Sequence, residues 1–310
     1  MMSIATLTLN PAIDIAYRVK ALVHTDKVRA SEQRCDPGGG GINVARVFVR
    51  MGGNARCVYL AGGPTGIALD ALLDLHQLVR EKVAIREDTR TSATFAEEAS
   101  GLEYRIVPLG PEVAEVEWHA CLERLEKLRC DYLVMSGSLP RGVPRDFYAR
   151  AAAIARRQGM RAVLDTSGDA LREALQAGGL ELVKPNLREF QELIGEDLTE
   201  LNDIADAARD IASRGQARLV AVSMGAGGGI LGSVDGAVRI PAPEAQITSS
   251  VGAGDSCLAA MVYGLASGDA DESAFRLGIC AGSAALLTPG TGLAQAHDIQ
   301  RLYEEATATA

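Results

Sequence analysis

Short apolar runs that alternate with amphipathic stretches set the strongest limit on how this chain can fold. The runs read IATLTL, RCVYLAG, DYLVMSG, RAVLDT, LELVK and RLVAVS, and helix-like segments separate them. Continuous apolar runs of this length are typical of strands that are buried on both faces. Because strand and helix alternate, we expect an α/β fold with a mostly parallel central sheet and helices on both faces.

Two segments depart from this alternation. Residues 15–30 and the stretch TSATFAEEASGLEYRIVPL, Thr91 to Leu109, alternate apolar and polar residues in steps of two without an intervening helix. Half-exposed antiparallel strands have this pattern, and a small sheet with one apolar face must cover a cleft or another subunit. We therefore expect a single domain over 1–310 with a discontinuous β-sheet lid from about 15–30 and 88–109.

Charge and cysteine usage exclude several classes of function. The net charge of −9 disfavours nonspecific binding to nucleic acid, which depends on Lys and Arg. The cysteines form no C-x-x-C pair and the histidines are scattered, which argues against a zinc site. The stretch 277–297 has no charged residue, but Gly and Pro interrupt it, so we expect a buried helix and a loop there and no membrane segment. The start MMSIATLTLN lacks a signal-peptide pattern and predicts a cytoplasmic protein.

Two glycine-rich stretches are candidate ligand contacts. In DPGGGGINVARVFVRMGG, Gly38, Gly39 and Gly40 precede a helix, so backbone N–H groups can approach a ligand, and Asn43 can bond a hydroxyl. A flexible turn before a helix is the alternative. In VAVSMGAGGGILGS a second strand follows the glycines instead of a helix, which disfavours a dinucleotide fold. This stretch is therefore expected to form either a simple hairpin or a backbone wall that contacts a nucleotide.

Two further motifs place carboxylates at helix starts. In VKPNLREFQELIG, Asn186 and Glu189 have the spacing of a capping box, or could hold the water shell of Mg²⁺. In VGAGDS, Asp255 is either a helix cap or a general base, with Gly252, Ala253 and Gly254 donating N–H groups to a transferring phosphoryl group. Because all these motifs lie at predicted strand ends or helix starts, they predict one ligand crevice.

Taken in order, TLTLNPAIDIA, GGGGINVAR, SGSLPRG, KPNLREF and VGAGDS resemble the motifs of the PfkB branch of ribokinase-like sugar kinases. The resemblance covers essentially the whole chain. It implies a ribokinase-like α/β core, a small β-sheet lid that is usually shared across a homodimer, and ATP-dependent phosphorylation of a sugar. Small-molecule partners, ATP and a sugar phosphate, are therefore expected.

The resemblance also implies a role for individual residues. Asp255 matches the general base, residues 252–254 the anion hole, and Asn186 and Glu189 the magnesium motif. The ATP pocket is expected at Lys184, Asn186, Ser223, Gly225 and Gly227. The sugar and its phosphate are expected at Asp14, Lys27, Gly38, Gly39, Gly40, Asn43, Arg90, Arg105 and Ser138, with Lys27 coming from a neighbouring subunit. A monovalent cation such as K⁺ could take oxygens from Ser249, Val251 and Ala285.

Two features of the resemblance bear on the sugar. Gly40 stands where 1-phosphofructokinases and tagatose-6-phosphate kinases usually carry lysine, and EEASGLEYRIVP resembles the lid of the phosphofructokinase-2 type. This implies fructose 6-phosphate, phosphorylated at C1 in glycolysis. Tagatose 6-phosphate or fructose 1-phosphate is the nearest alternative, and a non-catalytic regulator that binds a sugar phosphate is the alternative of another class. In TPGTGLA, Thr288 and Gly292 differ from the residues that the phosphofructokinase-2 type carries beside a bound monovalent cation. The resemblance therefore does not decide whether K⁺ activates this protein.

Overall fold

A computed structural model describes residues 3–308. Its strands are β1 (Ser3–Thr8), β2 (Ala12–Val19), β3 (Ala30–Gly38), β4 (Asn54–Ala61), β5 (Val79–Ala84), β6 (Arg90–Glu97), β7 (Glu103–Ile106), β8 (Tyr132–Ser136), β9 (Arg161–Asp165), β10 (Leu180–Val183), β11 (Ala217–Ser223), β12 (Gly229–Ser233) and β13 (Gly236–Ile240). Its helices are α1 (Gly40–Arg50), α2 (Gly63–Leu75), α3 (Glu115–Glu126), α4 (Phe147–Arg157), α5 (Gly168–Ala177), α6 (Leu187–Ile194), α7 (Leu201–Ser213), α8 (Ala253–Ser267), α9 (Asp271–Leu286) and α10 (Ala296–Ala308), with a 3₁₀ turn at Gly225–Gly227.

The large sheet has nine strands in the order β13-β12-β11-β10-β9-β8-β1-β4-β5. The pairs from β11 across to β5 are parallel, and β12 and β13 complete the edge antiparallel. Alternate side chains of a strand enter two separate cores; along β11, Leu219 and Ala221 pack into one, and Val220 and Val222 into the other. The predicted α/β class with helices on both faces is confirmed.

The second sheet is small and has the order β3-β2-β6-β7. The β2–β3 and β6–β7 pairs are antiparallel and β2–β6 is parallel. The prediction for 15–30 was wrong in detail, because residues 20–29 form no strand and the partner strand β3 lies at 30–38. Residues 30–35 of β3 are exposed, so this edge strand lacks the alternation that reveals a half-buried strand. That the sheet acts as a lid remains a prediction.

The carboxyl ends of the parallel strands bring the predicted motifs to one edge of the large sheet. β8 ends at Ser136, β9 at Asp165, and α8 begins opposite them at Ala253. The apolar stretch from residue 277 forms the last part of α9 and then a loop, as predicted. Within residues 3–308 we find no helix that combines the length and apolar character needed to cross a membrane.

Candidate active site

Asp255 lies in the first turn of α8, but it does not cap the helix. The N-cap residue is Gly252, which has a left-handed backbone with φ of 73° and has no side chain to offer. A Cβ atom at this position would lie 2.2 Å from Cδ2 of Leu293, so the turn also needs glycine for space. The Asp255 carboxylate instead accepts a hydrogen bond from Asn43, with 2.9 Å between Nδ2 and Oδ2.

The surroundings of Asp255 favour a carboxylate that accepts protons near neutral pH. Burial raises its pKa to about 6, and the negative charges of Asp165 and Asp14 act in the same direction. The hydrogen bond from Asn43 and the positive charge of Lys184 oppose this rise. The group is therefore mostly ionised at pH 7 and more basic than an ordinary aspartate, as a general base requires.

A polar cavity of about 260 Å³ opens beside Asp255. Its lining consists of Gly40, Ser136, Gly137, Ser138, Asp165, Thr166, Ser167, Glu189 and Asp255. A Cβ atom on Gly40 would lie 2.1 Å from Oγ of Ser136 and 3.2 Å from Oδ1 of Asp255. Glycine at position 40 thus lets the backbone at the start of α1 approach the carboxylate closely.

The predicted sugar contacts on the small sheet gather around Asp14. A Cβ atom on Gly38 would lie 2.0 Å from the Asp14 carboxylate, which places the two residues in close contact. Burial raises the pKa of Asp14, while the charges of Arg90 and Arg105 lower it. Arg90 donates to the carbonyl oxygens of Asn10 (2.8 Å) and Pro108 (2.9 Å). The structure therefore brings two of the predicted cations to one carboxylate.

Ser138 and Lys27 are two further predicted sugar contacts. Ser138 lines the polar cavity, and its Oγ accepts a hydrogen bond from Nδ2 of Asn10 at 3.2 Å. Lys27 lies in the exposed segment 20–29, where its backbone N–H donates to Oδ1 of Asp26. Its predicted contribution to a neighbouring subunit stays a prediction.

Lys184 and Asp165 form a buried pair at the edge of the sheet. Lys184 is 4% exposed, and its Nζ lies 3.4 Å from Oδ2 of Asp165. Burial alone would lower the pKa of Lys184, but the negative charges of Asp165, Asp255 and Glu189 raise it above its ordinary value. Nζ also lies 3.5 Å from the position of a Cβ atom on Gly254. A permanent positive charge thus stands beside the turn before Asp255.

Asp165 was not predicted as a site residue. Its only sequence signal is its position at the end of the strand-like run RAVLDT, where a polar side chain follows a buried strand. Parallel strands present such residues at the same edge, so the position of Asp165 could have been predicted, but its pairing with Lys184 depends on the strand order.

Of the two interpretations of the Asn186–Glu189 motif, the structure bears on the capping box, and the magnesium role stays a prediction. The capping box is confirmed: Asn186 Oδ1 accepts from the Glu189 N–H, and Glu189 Oε2 accepts from the Asn186 N–H, both at 2.9 Å. Glu189 also lines the polar cavity, where burial raises its pKa. Within residues 3–308 there is no group of three or more His, Cys, Asp and Glu side chains placed to hold a metal ion. Mg²⁺ keeps several waters and so needs few protein ligands, and the carboxyl groups that line this cavity suit it.

A larger cleft of about 640 Å³ lies on the other side of the α8 turn. Its lining is mostly apolar and glycine-rich: Ser223, Gly225, Ala226, Gly228, Ala242, Pro243, Glu244, Ala245, Ile247, Ser250, Ala253, Gly254, Cys257, Ile279, Gly282, Ser283 and Leu286. Of the predicted nucleotide contacts, Ser223 and Gly225 line it directly. Gly227 precedes the lining residue Gly228, whose φ of 84° and tight approach to the Ile240 carbonyl require glycine. The motif forms the predicted hairpin and also walls a cleft.

The candidate cation residues lie together beside this cleft. The Val251 N–H donates to Ser249 Oγ at 3.3 Å, and the Thr248 N–H donates to the Leu286 carbonyl, next to Ala285, at 2.7 Å. Ser249 Oγ in turn donates to Oε2 of Glu103 on β7 at 3.4 Å. The small sheet thus contacts the loop that leads into α8.

Comparison with known proteins places this arrangement among sugar kinases. Residues 7–298 match the family described as pfkB family carbohydrate kinase. The ATP-dependent 6-phosphofructokinase isozyme 2 of Mycobacterium tuberculosis is 40% identical over 306 residues, which span 98% of this chain and 89% of that protein. Two solved structures of Escherichia coli phosphofructokinase-2 cover 99% of this chain and all of theirs. The complex with potassium has a TM-score of 0.95 at 37% identity, and the complex with fructose-6-phosphate 0.93 at 36%.

Proposed function

Because the chain belongs to the pfkB family of carbohydrate kinases, we propose that it is an ATP-dependent 6-phosphofructokinase. In this reaction the γ-phosphoryl group of ATP is transferred to the C1 hydroxyl of fructose 6-phosphate, which gives fructose 1,6-bisphosphate and ADP. Membership of the family makes the protein an ATP-dependent sugar kinase; the choice of sugar is the proposal. It is supported by the name of the Mycobacterium tuberculosis relative and by the Escherichia coli complex with fructose-6-phosphate.

One observation carries the proposed chemistry. Gly254 lines the apolar cleft, and the next residue, Asp255, lines the polar cavity. If the base of a nucleotide lies in the cleft and a sugar lies in the cavity, the nucleotide phosphates and the sugar would meet at a single helix N-terminus. Backbone N–H groups at such an N-terminus favour phosphate.

The residues of this turn account for each part of the transfer. The Asp255 carboxylate takes the proton of the C1 hydroxyl, whose oxygen forms the new bond to the γ-phosphorus as the bond to the leaving ADP oxygen breaks. The N–H groups of Gly252, Ala253 and Gly254 stabilise the charge on the transferring group. Lys184, held charged by Asp165, adds a fixed positive charge beside Gly254.

Orientation of the sugar is assigned to the residues around the cavity. Asp14, Asn43 and Ser138 bond hydroxyl groups, and Gly38, Gly39 and Gly40 bring the backbone close. The guanidinium groups of Arg90 and Arg105 neutralise the sugar phosphate, together with Lys27 from a neighbouring subunit. Guanidinium suits this role because its planar fork of donors matches phosphate oxygens.

On the nucleotide side we assign Lys184, Asn186, Ser223, Gly225 and Gly227. Asn186 and Glu189 would hold the water shell of Mg²⁺, which when bound neutralises phosphate charge. Their capping box leaves the second oxygen of the Glu189 carboxylate available for this.

K⁺ activation through Ser249, Val251 and Ala285 is part of the same proposal. It is measured by repeating the assay with tetramethylammonium in place of potassium.

We also propose a cytoplasmic homodimer that pairs through the small sheet. Tyr104 and Ile106 alternate along its edge strand β7, Leu102 directly precedes that strand, and all three are exposed apolar side chains. An exposed apolar edge favours pairing with a second copy. Replacement Ile106→Asp should convert the dimer to a monomer in light scattering and raise the KM for the sugar phosphate. Leu75→Asp, at an even more exposed apolar position at the end of α2, should leave the dimer intact.

ADP production from Mg-ATP tests the activity, with fructose 6-phosphate, tagatose 6-phosphate and fructose 1-phosphate compared in parallel. We expect the fastest turnover on fructose 6-phosphate and measurable turnover on tagatose 6-phosphate, because a hydroxyl epimer is a small difference for a pocket. Preference for fructose 1-phosphate would change the proposed sugar. A protein that binds ATP but turns over none of the three would act on another sugar or would be a sugar-phosphate-binding regulator.

A further inference from the structure

A chain of buried polar groups stands behind Asp255. It runs from Asp36 at the end of β3, through Arg46 on α1, to Asn43 one turn earlier on the same helix. Arg46 Nη2 lies 2.9 Å from Asp36 Oδ1, Arg46 Nη1 lies 3.2 Å from Asn43 Oδ1, and Asn43 Nδ2 lies 2.9 Å from Asp255 Oδ2. Asp36 and Arg46 are 3% and 2% exposed. The pair is therefore fixed within the protein and is not a surface ion pair.

The hydrogen-bonding chemistry of these groups allows only one orientation of the Asn43 amide. A guanidinium group only donates, so the Asn43 atom that faces Arg46 must be the carbonyl oxygen. The amide nitrogen then faces Asp255 and donates to its carboxylate. If the amide were rotated by half a turn, two donors would meet at Arg46 and two acceptors at Asp255.

Arg46 is itself held by several partners. Its Nη1 also donates to the Pro37 carbonyl at 3.1 Å, and the Asp36 carboxylate accepts further bonds from Arg34 and from Thr291 Oγ1. Burial alone would raise the pKa of Asp36, but the bonds from Arg34 and Thr291 and the charge of Arg46 lower it below its ordinary value. Burial lowers the pKa of Arg46, though only to about 10. Both groups thus keep their charge throughout the range in which Asp255 titrates.

We propose that Arg46, anchored by Asp36, is a positioning residue that keeps the amide nitrogen of Asn43 directed at Asp255 throughout the catalytic cycle. The inference rests on the proposed role of Asp255 as the general base. An ionised Asp255 selects the same amide orientation by itself. Once Asp255 has taken the proton of the sugar hydroxyl, its carboxyl group can both donate and accept hydrogen bonds. It then selects the orientation of the Asn43 amide less strongly. Arg46 maintains the orientation in that state, so the site is ready for the next cycle without a rotation of Asn43.

The same contacts assign different tasks to the two oxygens of Asp255. Oδ2 is occupied by Asn43, whereas Oδ1 lies on the side of Gly40 and the polar cavity. Oδ1 is therefore the atom that meets the substrate hydroxyl. The other charged groups beside Asp255 are Asp165, Lys184, Asp14 and, across the polar cavity, Glu189, and none of them belongs to the chain through Arg46.

A double-mutant cycle tests the inference. Arg46→Met is combined with Asn43→Ala, and kcat and the pH dependence of kcat/KM are measured on fructose 6-phosphate for the wild type, both single variants and the double variant. Asp36 keeps Arg34 and Thr291 in Arg46→Met, so we expect a folded protein. Arg50→Met is the matched control. Arg50 lies one turn further along α1 and donates to the carbonyls of Gly292 and Ala294, away from Asn43.

We expect Arg46→Met to lower kcat about tenfold and to move the acid limb of the pH profile upward by about half to one unit, because Asp255 loses an oriented donor. In the Asn43→Ala background the same substitution should change kcat less than about twofold and leave the limb in place. Equal losses in both backgrounds, or an unmoved acid limb, would overturn the inference.

Two further points keep the result interpretable. If Arg46→Met does not fold, the neutral pair Asp36→Asn/Arg46→Met, which also leaves no donor at position 46, replaces it in the same cycle, with the same expected and contrary results. Absence of wild-type turnover on fructose 6-phosphate would refute the proposed function, and this inference with it. If the wild type is active but Arg46→Met shows neither the expected loss of kcat nor the shift of the acid limb, only the inference about Arg46 fails.

Discussion

The two cavities on either side of the α8 turn are built on opposite principles. The polar cavity contains the carboxyl groups of Asp165, Glu189 and Asp255, and one of them accepts a bond from an amide whose orientation a buried ion pair sets. The apolar cleft is lined mainly by small and apolar residues and by glycine backbone. Chemistry needs charges at fixed places, whereas binding of a flat, uncharged base needs only shape and apolar area.

This difference has a consequence for stability. The polar cavity concentrates groups that burial disfavours in their charged forms, and the pKa of Asp255, raised to about 6, reflects that cost. Because the folded-state pKa lies above the ordinary 3.8, the folded protein binds protons more tightly than the unfolded chain. The contribution of Asp255 to the free energy of unfolding therefore falls as pH rises from 3.8 to about 6. The apolar cleft has no such cost in free energy, because burying apolar side chains away from water is favourable.

The largest effect is expected at the boundary between the cavities. Asp255→Asn should lower kcat by about 10² to 10⁴ while both KM values stay near those of the wild type, because the proton acceptor is lost and the cavity shape is kept. The thermal midpoint at pH 8 should not fall, since the variant removes a charge that burial disfavours. Asp203→Asn, an exposed aspartate in the first turn of α7, is the control and should keep full turnover. A collapse of affinity with kcat maintained would make Asp255 a structural residue.

The pH dependence of the wild type should give a smaller effect that again belongs to the polar cavity. The base acts only when ionised, so kcat/KM should fall about tenfold per pH unit below the pKa of about 6 and level off above it. Rate measurements between pH 5 and 8, with circular dichroism to check the fold, provide the test. A rate that does not change over this range would show that protonation of Asp255 does not limit the reaction.

The smallest effect is expected in the apolar cleft. Ile247 is 70% exposed at its rim, where a bound base would cover it. Ile247→Ser should raise the KM for ATP by roughly 2- to 5-fold, because up to about 1 kcal/mol of apolar contact is lost, and leave kcat and the sugar KM unchanged. Val234→Ser, at a similarly exposed position outside the cleft, should change neither KM. An effect of Ile247→Ser on the sugar KM would contradict the separation of the two cavities.

Several elements could be predicted from local patterns. The buried strands, the capping box at Asn186 and Glu189, and the hairpin after the glycines near Gly228 all follow from hydrophobic period or turn chemistry over a few residues. The strand β3 could not be predicted in this way, since its residues 30–35 are exposed and show no alternation. The predicted segment 15–30 therefore ended where β3 begins.

Fold class, family and the residue types available at the crevice can be deduced from the amino-acid sequence, because strands, caps and tight turns are encoded by residues close together in the chain. Which of those residues meet depends on how the chain packs in three dimensions. Asn43 and Asp255 are 212 residues apart, and their contact exists because α1 and α8 both begin at the carboxyl edge of the same sheet. The pairing of Lys184 with Asp165 and the orientation of Asn43 by Arg46 likewise depend on strand order and helix packing, which no local pattern records.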